Sequence, residues 1–554
     1  SLDISLFRVH SRPAVSISVS FNDEVVHSIS AGIAGNRGST MVHLFEWKFS
    51  DIAEECENFL GPMGYGGVQV SPIHENMVID NRPWWERYQP LSLNIISRSG
   101  NEDEFRDMIR RCNAVDVRVF VDVVVNHMTK DANPAIGTGG SVANTNARSY
   151  PAVPYTASDF HRVCQINNYK NATEVRDCEL SGLHDLDQSR ENVRASIVDF
   201  LNRIVDAGAA GIRVDAAKHM WPEDLKVIYS RMKNLSTSHG YRSGLRPFIY
   251  QEVIDLGGEA VSKREYTDFG TVIEFTFGIV LGMMFRGQDE LYKLKDWGNG
   301  WGLLPSEDAL VMIDNHDNQR GHGAGGASIL TYKVPKQYKM AVAFMLAHPY
   351  GSPRVMSSYA FTNTDAGPPA DQSGNIRSPV RNGICASEWV CEHRWPQIVA
   401  MNIFRNVVKE EPLANWWSNG KNQIAFSRGA LGFIAINGED ADLSRVLQTG
   451  LPAGVYCDVI SGKPEGGKCT GQTIVVDSKG NAPFFIGKDA PEGVAAIHVG
   501  VSSRSSNISF SRDPVDKYIF FSGHIQVALS ARRRSGSVVL YISGRLQKYT
   551  RILY

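Results

Sequence analysis

The chain reads as an α/β protein built on a closed (β/α)8 barrel, with an inserted irregular domain and a C-terminal antiparallel β domain. Three observations point there. Short apolar strands alternate with amphipathic helices from about residue 50 to about residue 410, as a parallel sheet requires. Several of those strands end in clusters of polar side chains, and a barrel opens all its strand ends onto one face. From about residue 411 the texture changes to β-rich segments joined by turns of Gly, Asn and Asp.

Residues 1–36 show no sustained period and are left as an unassigned N-terminal extension. Residues 37–127 form the first part of the barrel. Ser50, followed by Asp51, is expected to cap a helix that carries Ile52, Cys56, Phe59 and Leu60 and stops at Gly61-Pro62. The strand Gly67–Ser71 follows, then a helix over Glu102–Cys112 with Phe105, Met108, Ile109 and Cys112 at helical spacing, then the β-branched strand Val117–Val125. Residues 128–188, rich in Pro, Gly and Asn, break the rhythm and read as the insertion. The barrel resumes over 189–410. A helix with Val193, Ile197, Leu201 and Ile204 on one face ends at Gly208 and leads into Gly211–Asp215. Further strands are expected at Phe248–Glu252, Val272–Phe275 and Ala309–Asp314. In the β domain, 411–499, strands are expected at Gln423–Phe426, Gly432–Ile436 and Val494–Val499. Residues 500–554 are a second unassigned extension, Ser- and Arg-rich around Arg532-Arg533-Arg534, with a candidate hairpin from His524 to Ser543.

The chain has 554 residues, is 43% hydrophobic and carries a net charge of -2, the balance of an ordinary soluble protein with no basic excess for nucleic acid. No apolar run is long enough to span a bilayer, and the first residues hold no clean signal-peptide core. Of eight cysteines, three close pairs could be loop staples: Cys164 with Cys178, Cys385 with Cys391, and Cys457 with Cys469. Cys56 and Cys112 sit on the apolar stripes of two expected helices and can meet. Full pairing, one arrangement among 105, would place the protein in an oxidising compartment.

The chemistry gathers at four strand ends: Asp122 through Asn126-His127, Arg213 through Asp215 and Lys218-His219, Gln251-Glu252, and Asp314 through Asn315-His316-Asp317. Arg213 and Asp215 share a strand face, and a buried ion pair there is costly enough to suggest function, with the cation holding the carboxylate ionised. Converged in a barrel, the group holds three carboxylates, Asp215, Glu252 and Asp317, with His127 and His316 around them. Paired carboxylates suit glycosidic cleavage. Trp84-Trp85 and Tyr88, in a polar loop, offer flat rings for sugars, although one Trp could instead anchor the loop in the core. The Gly-rich stretches 137–140 and 321–326 lack the Lys and the strand-to-helix context of a phosphate loop.

At these residues the sequence resembles the animal-type α-amylases of the α-amylase superfamily, from about Arg37 to about Val499. The four strand-end motifs occur in the family's order, accompanied by Val42-His43-Leu44-Phe45-Glu46-Trp47, Pro83-Trp84-Trp85-Glu86-Arg87-Tyr88 and Val390-Cys391-Glu392-His393-Arg394-Trp395. The resemblance implies retaining endo-hydrolysis of internal α-1,4-glucosidic bonds. Asp215 matches the nucleophile, Glu252 the acid/base and Asp317 the carboxylate that stabilises the transition state. Trp84, Trp85, Tyr88, His127, Tyr169, Lys218, His316 and His322 match substrate-binding positions. Asn126, Arg176, Asp185 and His219 match calcium ligands, the second and fourth through backbone carbonyls. Arg213, Asn315 and Arg354 match a chloride site, whose anion would offset two buried cations beside the catalytic acid. Starch or glycogen as substrate, proteinaceous amylase inhibitors as partners, a monomeric state and secretion are the corresponding expectations. The rival readings are an α-glucosidase or transglycosylase of the same superfamily, or a non-catalytic barrel. Ile96 and Val142 stand where vertebrate members carry an extra disulfide, so the resemblance is to invertebrate forms.

Overall fold

A computed structural model describes residues 38–501 together with the strands Leu2–Val9, Arg12–Val19, Ala528–Arg534 and Ser537–Ser543. The chain divides into two compact units, Ser1–Arg504 and Ser505–Tyr554. In the first unit, eight parallel strands close a barrel in sequence order. They are β1 (Met41–Leu44), β2 (Gly67–Val70), β3 (Arg118–Val123), β4 (Gly211–Val214), β5 (Phe248–Gln251), β6 (Thr271–Ile273), β7 (Ala309–Val311) and β8 (Ser352–Ser357). β8 returns to pair with β1, so the barrel has no open edge.

The register sets what the barrel contains. Arg213 on β4 stands opposite Asp122 on β3 and Tyr250 on β5, while His43 on β1 stands opposite Gln69 on β2. These side chains, with Arg354 of β8, are all buried. A barrel interior is ordinarily packed with branched apolar residues; here one level of it is polar and charged.

Helices α1 (Phe49–Glu55) and α2 (Glu102–Ala114) pack together outside the barrel. The first differs from expectation at its start: Phe49 is already helical, its N–H held by Ser99 O at 2.8 Å, so Ser50 falls inside the first turn and caps nothing. The second is closed by a capping box in which Asn101 and Glu104 bond each other's backbone N–H. It buries Phe105, Met108, Ile109 and Cys112. Between β3 and β4 lie the short helix α3 (Ala172–Asp177) and then α4 (Glu191–Asp206), which ends at Gly208 with φ of +99°. The helix α5 (Pro222–Ser230) precedes β5. The strand expected over Val272–Phe275 stops at Ile273, because Glu274, paired with Lys263 at 2.6 Å, accepts from Thr276 N and starts α6 (Phe275–Phe285). Helices α7 (Pro335–Ala347) and α8 (Pro396–Val408) follow.

The C-terminal region forms an antiparallel sheet of β9 (Leu413–Ser418), β10 (Gln423–Arg428), β11 (Gly432–Asn437) and β12 (Val494–His498), in that order. A second core that includes Phe433, Leu447, Tyr456, Phe484 and Ile497 lies here. All eight cysteines are paired, as Cys56–Cys112, Cys164–Cys178, Cys385–Cys391 and Cys457–Cys469. The extensions fall largely outside the described residues. Within 1–36, where no period was expected, Leu2–Val9 and Arg12–Val19 pair as an antiparallel hairpin. Of the candidate hairpin at His524–Ser543, Ala528–Arg534 pairs with Ser537–Ser543, and 524–527 lie outside the described residues.

The Cys56–Cys112 bridge closes a loop of 56 residues between two helices. Replacing both cysteines by Ala is expected to remove about 2–4 kcal/mol of stability by freeing the unfolded chain. A lowered thermal midpoint with unchanged far-ultraviolet circular dichroism is the check.

Candidate active site

Asp215 follows β4, Glu252 follows β5 and Asp317 lies beyond β7, so barrel closure brings three chain-distant carboxyl groups to one end. The Arg213 guanidinium lies beneath them. Its Nη1 is 2.6 Å from Asp122 Oδ1 and 2.9 Å from Asp215 Oδ1, and its Nη2 is 3.0 Å from Glu252 Oε1. Asp122 is anchored further by Tyr88 Oη, which donates at 3.0 Å. Ala216, next to Asp215, adopts the left-handed φ of 49°, and its N–H donates to Glu252 Oε2 at 2.9 Å. A non-glycine residue there is strained, and the bond to the neighbouring carboxylate holds it in place.

Asp215 and Asp317 are displaced from the ordinary carboxylate range by their surroundings. Burial and Glu252 push Asp215 well above the usual carboxylate range, while Arg213 pulls it down. Burial and Glu252 likewise raise Asp317 to about 7. Arg213, expected to favour the ionised form of Asp215, does pull it down, and the structure adds that this cation is shared with Asp122 and Glu252. His316 and His43 are pushed the other way, well below the usual imidazole range, by burial and nearby arginines.

A cavity of about 610 Å³ opens above the carboxylates. Asp215, Glu252 and Asp317 line it, with Trp84, Trp85, Tyr88, His127, Tyr169, Lys218 and His322. Trp84 is buried and meets Tyr88, His316 and His322 edge-on, whereas Trp85 is half-buried with its Nε1 donating to Asp365 at 3.2 Å. His316 stands behind the wall, stacked on Tyr88 at 5.1 Å. Lys218 Nζ pairs with Glu259, donates to Ile254 O and lies 4.9 Å over the Tyr169 ring. His127 is fixed from both sides: Asn126 Nδ2 donates to its Nδ1 at 3.1 Å, and its Nε2 donates to Tyr88 O at 3.0 Å.

Two further groups of residues adjoin this centre. Asn126 Oδ1 and Asp185 Oδ1 are buried oxygens that accept no hydrogen bond among the described residues. α3, which contains Arg176, packs against the turn Ala217–His219, with His219 Nδ1 bonded to Val175 O at 2.9 Å. The Arg176 side chain turns to Glu265 and Tyr266, and among the described residues the ion-pair partner of Asp185 is His161. Burial accordingly raises Asp185 to about 7, against the pull of His161. Unused oxygens of this kind fit a hard cation. In the barrel, Arg354 donates to Gln69 Oε1 and Met312 Sδ and forms no ion pair among the described residues. Asn315 spends its Oδ1 on the N–H groups of Asp317 and Asn318, and its Nδ2 makes only a long contact, 3.5 Å, with Asp317. A buried guanidinium with no ion pair among the described residues, close enough to Arg213 to feel its charge, fits a small anion.

Sequence reasoning did not assign Arg320. It is buried, with its Cζ 4.3 Å from the Phe361 centroid, 4.8 Å from Tyr359 and 4.9 Å from Phe45, and its Nη1 donates to His316 O at 3.1 Å. It thus ties the aromatic wall to the backbone next to Asp317. Its position in the Asn318-Gln319-Arg320 turn carried no periodic or motif signal.

An eight-stranded parallel barrel with carboxylates clustered at its strand ends defines a glycosidase-like active site, and comparison with known proteins specifies the kind. Residues 55–355 match the family model described as alpha amylase, catalytic domain, and residues 416–500 match that of alpha amylase, C-terminal all-beta domain. The chain is 57% identical over 471 residues to an alpha-amylase of Tenebrio molitor, covering 85% of this chain and 98% of that one. It is 57% identical over 470 residues to one of Tribolium castaneum, covering 84% and 95%. The wild-type alpha-amylase I of Eisenia fetida superimposes with a TM-score of 0.80 at 45% identity, over 84% of this chain and 98% of that one. The chain belongs to the α-amylase family of glycoside hydrolases.

Arg320→Lys keeps the charge but loses the planar contact with the rings. We expect kcat to fall about tenfold, with a smaller change in KM and a stability loss of roughly 1–2 kcal/mol. Steady-state kinetics beside thermal melts of the purified variant check this.

Proposed function

We propose that the chain hydrolyses internal α-1,4-glucosidic bonds of starch, glycogen and related glucans with retention of configuration. The observation that carries the reading is the double grip of Arg213, whose two terminal nitrogens hold Asp215 and Glu252 side by side at the cavity floor. Carboxyl groups about 5–5.5 Å apart suit a covalent glycosyl intermediate, whereas an inverting enzyme leaves room for water between them. Asp215 attacks the anomeric carbon while Glu252 gives its proton to the departing glycosidic oxygen. Glu252, now a carboxylate, takes a proton from water, whose oxygen displaces Asp215 and frees the sugar. Asp317 offsets the positive charge that develops on the ring in the transition state of each step. The rings of Trp84, Trp85, Tyr88 and Tyr169 receive sugar faces, Lys218 and His322 bind hydroxyls, His127 meets the sugar with its ring edge because both its nitrogens are engaged, and His316 backs Tyr88 from behind the wall. A mutant of the Eisenia fetida alpha-amylase I has been solved in complex with maltohexaose, which supports an α-glucan as substrate.

Calcium would be held by Asn126, Asp185 and the carbonyls of Arg176 and His219, where it would neutralise Asp185 and tie the 128–188 segment to the barrel. Chloride would be held by Arg213, Asn315 and Arg354, where it would offset cationic charge beneath the acid. Division at 37–127, 128–188, 189–410 and 411–499 is part of this reading. Four disulfides support an oxidising compartment, and we read the protein as a secreted monomer, open to proteinaceous inhibitors at its cavity. Among the described residues no helix is long and apolar enough to cross a membrane.

Asp215→Asn and Glu252→Gln are each expected to lower kcat on starch by several orders of magnitude with little change in melting temperature, since volume is conserved while the nucleophile or proton is lost. Proton NMR of the first products of the native enzyme should show the α-anomer; initial β-anomer would contradict retention.

Chelation should lower the melting temperature and expose residues 128–188 first to limited proteolysis, because the cation binds only the folded state. Immediate loss of activity at an unchanged melting temperature would mean a catalytic rather than a structural ion.

Chloride should shift the alkaline limb of the pH-rate profile upward, because an unbalanced Arg354 drives a nearby acid to lose its proton earlier. Arg354→Gln should shrink that shift. Profiles with and without chloride that coincide for the native enzyme would refute the site.

A further inference from the structure

Two Asn-X-Ser/Thr triplets are exposed among the described residues, Asn171-Ala172-Thr173 and Asn234-Leu235-Ser236. They differ in setting. Asn171 lies two residues from Tyr169 in the cavity wall, and its side-chain Oδ1 caps α3 by accepting from Glu174 N. Asn234 lies in the irregular stretch between α5 and β5, which enters β5 at the end of the barrel opposite the carboxylates.

The stretch around Asn234 is anchored and its amide turned outward. Leu235 is buried, and its N–H donates to Leu245 O at 2.8 Å. Arg246 donates to Tyr229 O and Met232 O and, at 3.2 Å, to Asn234 Oδ1. Asn234 is therefore held through its oxygen, which leaves Nδ2 as the solvent-facing end of an exposed side chain. Ser236, the third residue of the triplet, is exposed as well.

We propose that Asn234 carries an N-linked oligosaccharide; the inference rests on the secreted reading given above. The donor class is a lipid-pyrophosphate oligosaccharide. A bond forms between Asn234 Nδ2 and the anomeric carbon of the first sugar as the sugar–phosphate bond breaks. The electron pair of that bond leaves on the lipid pyrophosphate, and the amide gives up one proton. Transfer requires the Ser236 hydroxyl in the triplet. The folded chain accommodates the product because Nδ2 faces water and no cavity-lining group lies on this stretch.

The test is to secrete the full chain from insect-cell culture behind a signal peptide and treat it with peptide N-glycosidase in heavy-oxygen water before peptide mapping. The expected result is the Asn234 peptide recovered as heavy-oxygen-labelled Asp, with faster gel migration after treatment. Ser236→Ala should lose the label at Asn234 and the matching part of the mobility shift while retaining native activity. A secreted, disulfide-bonded chain with an unlabelled Asn234 peptide overturns the proposal and leaves the secreted reading intact, and labelling that survives in Ser236→Ala overturns it too. A chain retained in the cell with reduced cysteines overturns the secreted reading itself, and the proposal with it.

Discussion

The Arg213 guanidinium is the point on which this site depends. Burying a cation is costly unless its charge is met, and Asp122, Asp215 and Glu252 meet that of Arg213 from the ends of three consecutive strands. Each acid is in turn acceptable in the barrel because of the arginine. The arrangement is mutual, so the ends of β3, β4 and β5 are fixed relative to one another more tightly than backbone pairing alone would fix them. The same balance accounts for Tyr88, which spends its hydroxyl on Asp122 while its ring faces the cavity. It also accounts for the strained Ala216, whose N–H is taken up by Glu252.

Much of this was legible in the sequence because it follows from short periods. Side-chain alternation put Arg213 and Asp215 on one face, and helical spacing put Cys56 and Cys112 on buried stripes, where they pair. Barrel logic sent Asp215, Glu252 and Asp317 to a common end. What escaped depends on contacts between distant segments. Arg320 reads as a polar residue in a Gly-rich stretch, and only the fold surrounds it with Phe45, Tyr359 and Phe361. The start of α1 was misplaced because Ser99, far along the chain, supplies the acceptor for Phe49. The end of β6 was misplaced because the Lys263–Glu274 pair turns the chain into a helix before Phe275, an aromatic residue suited to a strand. The N-terminal hairpin, whose strands mix charge among apolar residues, shows pairing where periodicity was weak.

The influences on acidity are also long-range. Read locally, Arg213 beside Asp215 predicts a strong acid. In the barrel the same arginine is divided among its neighbours, and burial of several carboxyl groups together favours retention of protons in the group. A retaining hydrolase needs one acid ionised and one able to donate, and acids buried together around a shared cation are a direct way to hold that state.

The Asn126 amide has two ends with different obligations. Its nitrogen donates to His127 Nδ1, and its buried oxygen accepts no hydrogen bond among the described residues. Rotating the amide to exchange the two ends would confront an imidazole acceptor with a carbonyl, so the group behaves as a rigid hinge pin. Because it is pinned, the proton of His127 stays on Nε2, where Tyr88 O receives it. Any ion drawn to the oxygen end would therefore be felt at the cavity wall as a preference for one tautomer, without any backbone movement between the two.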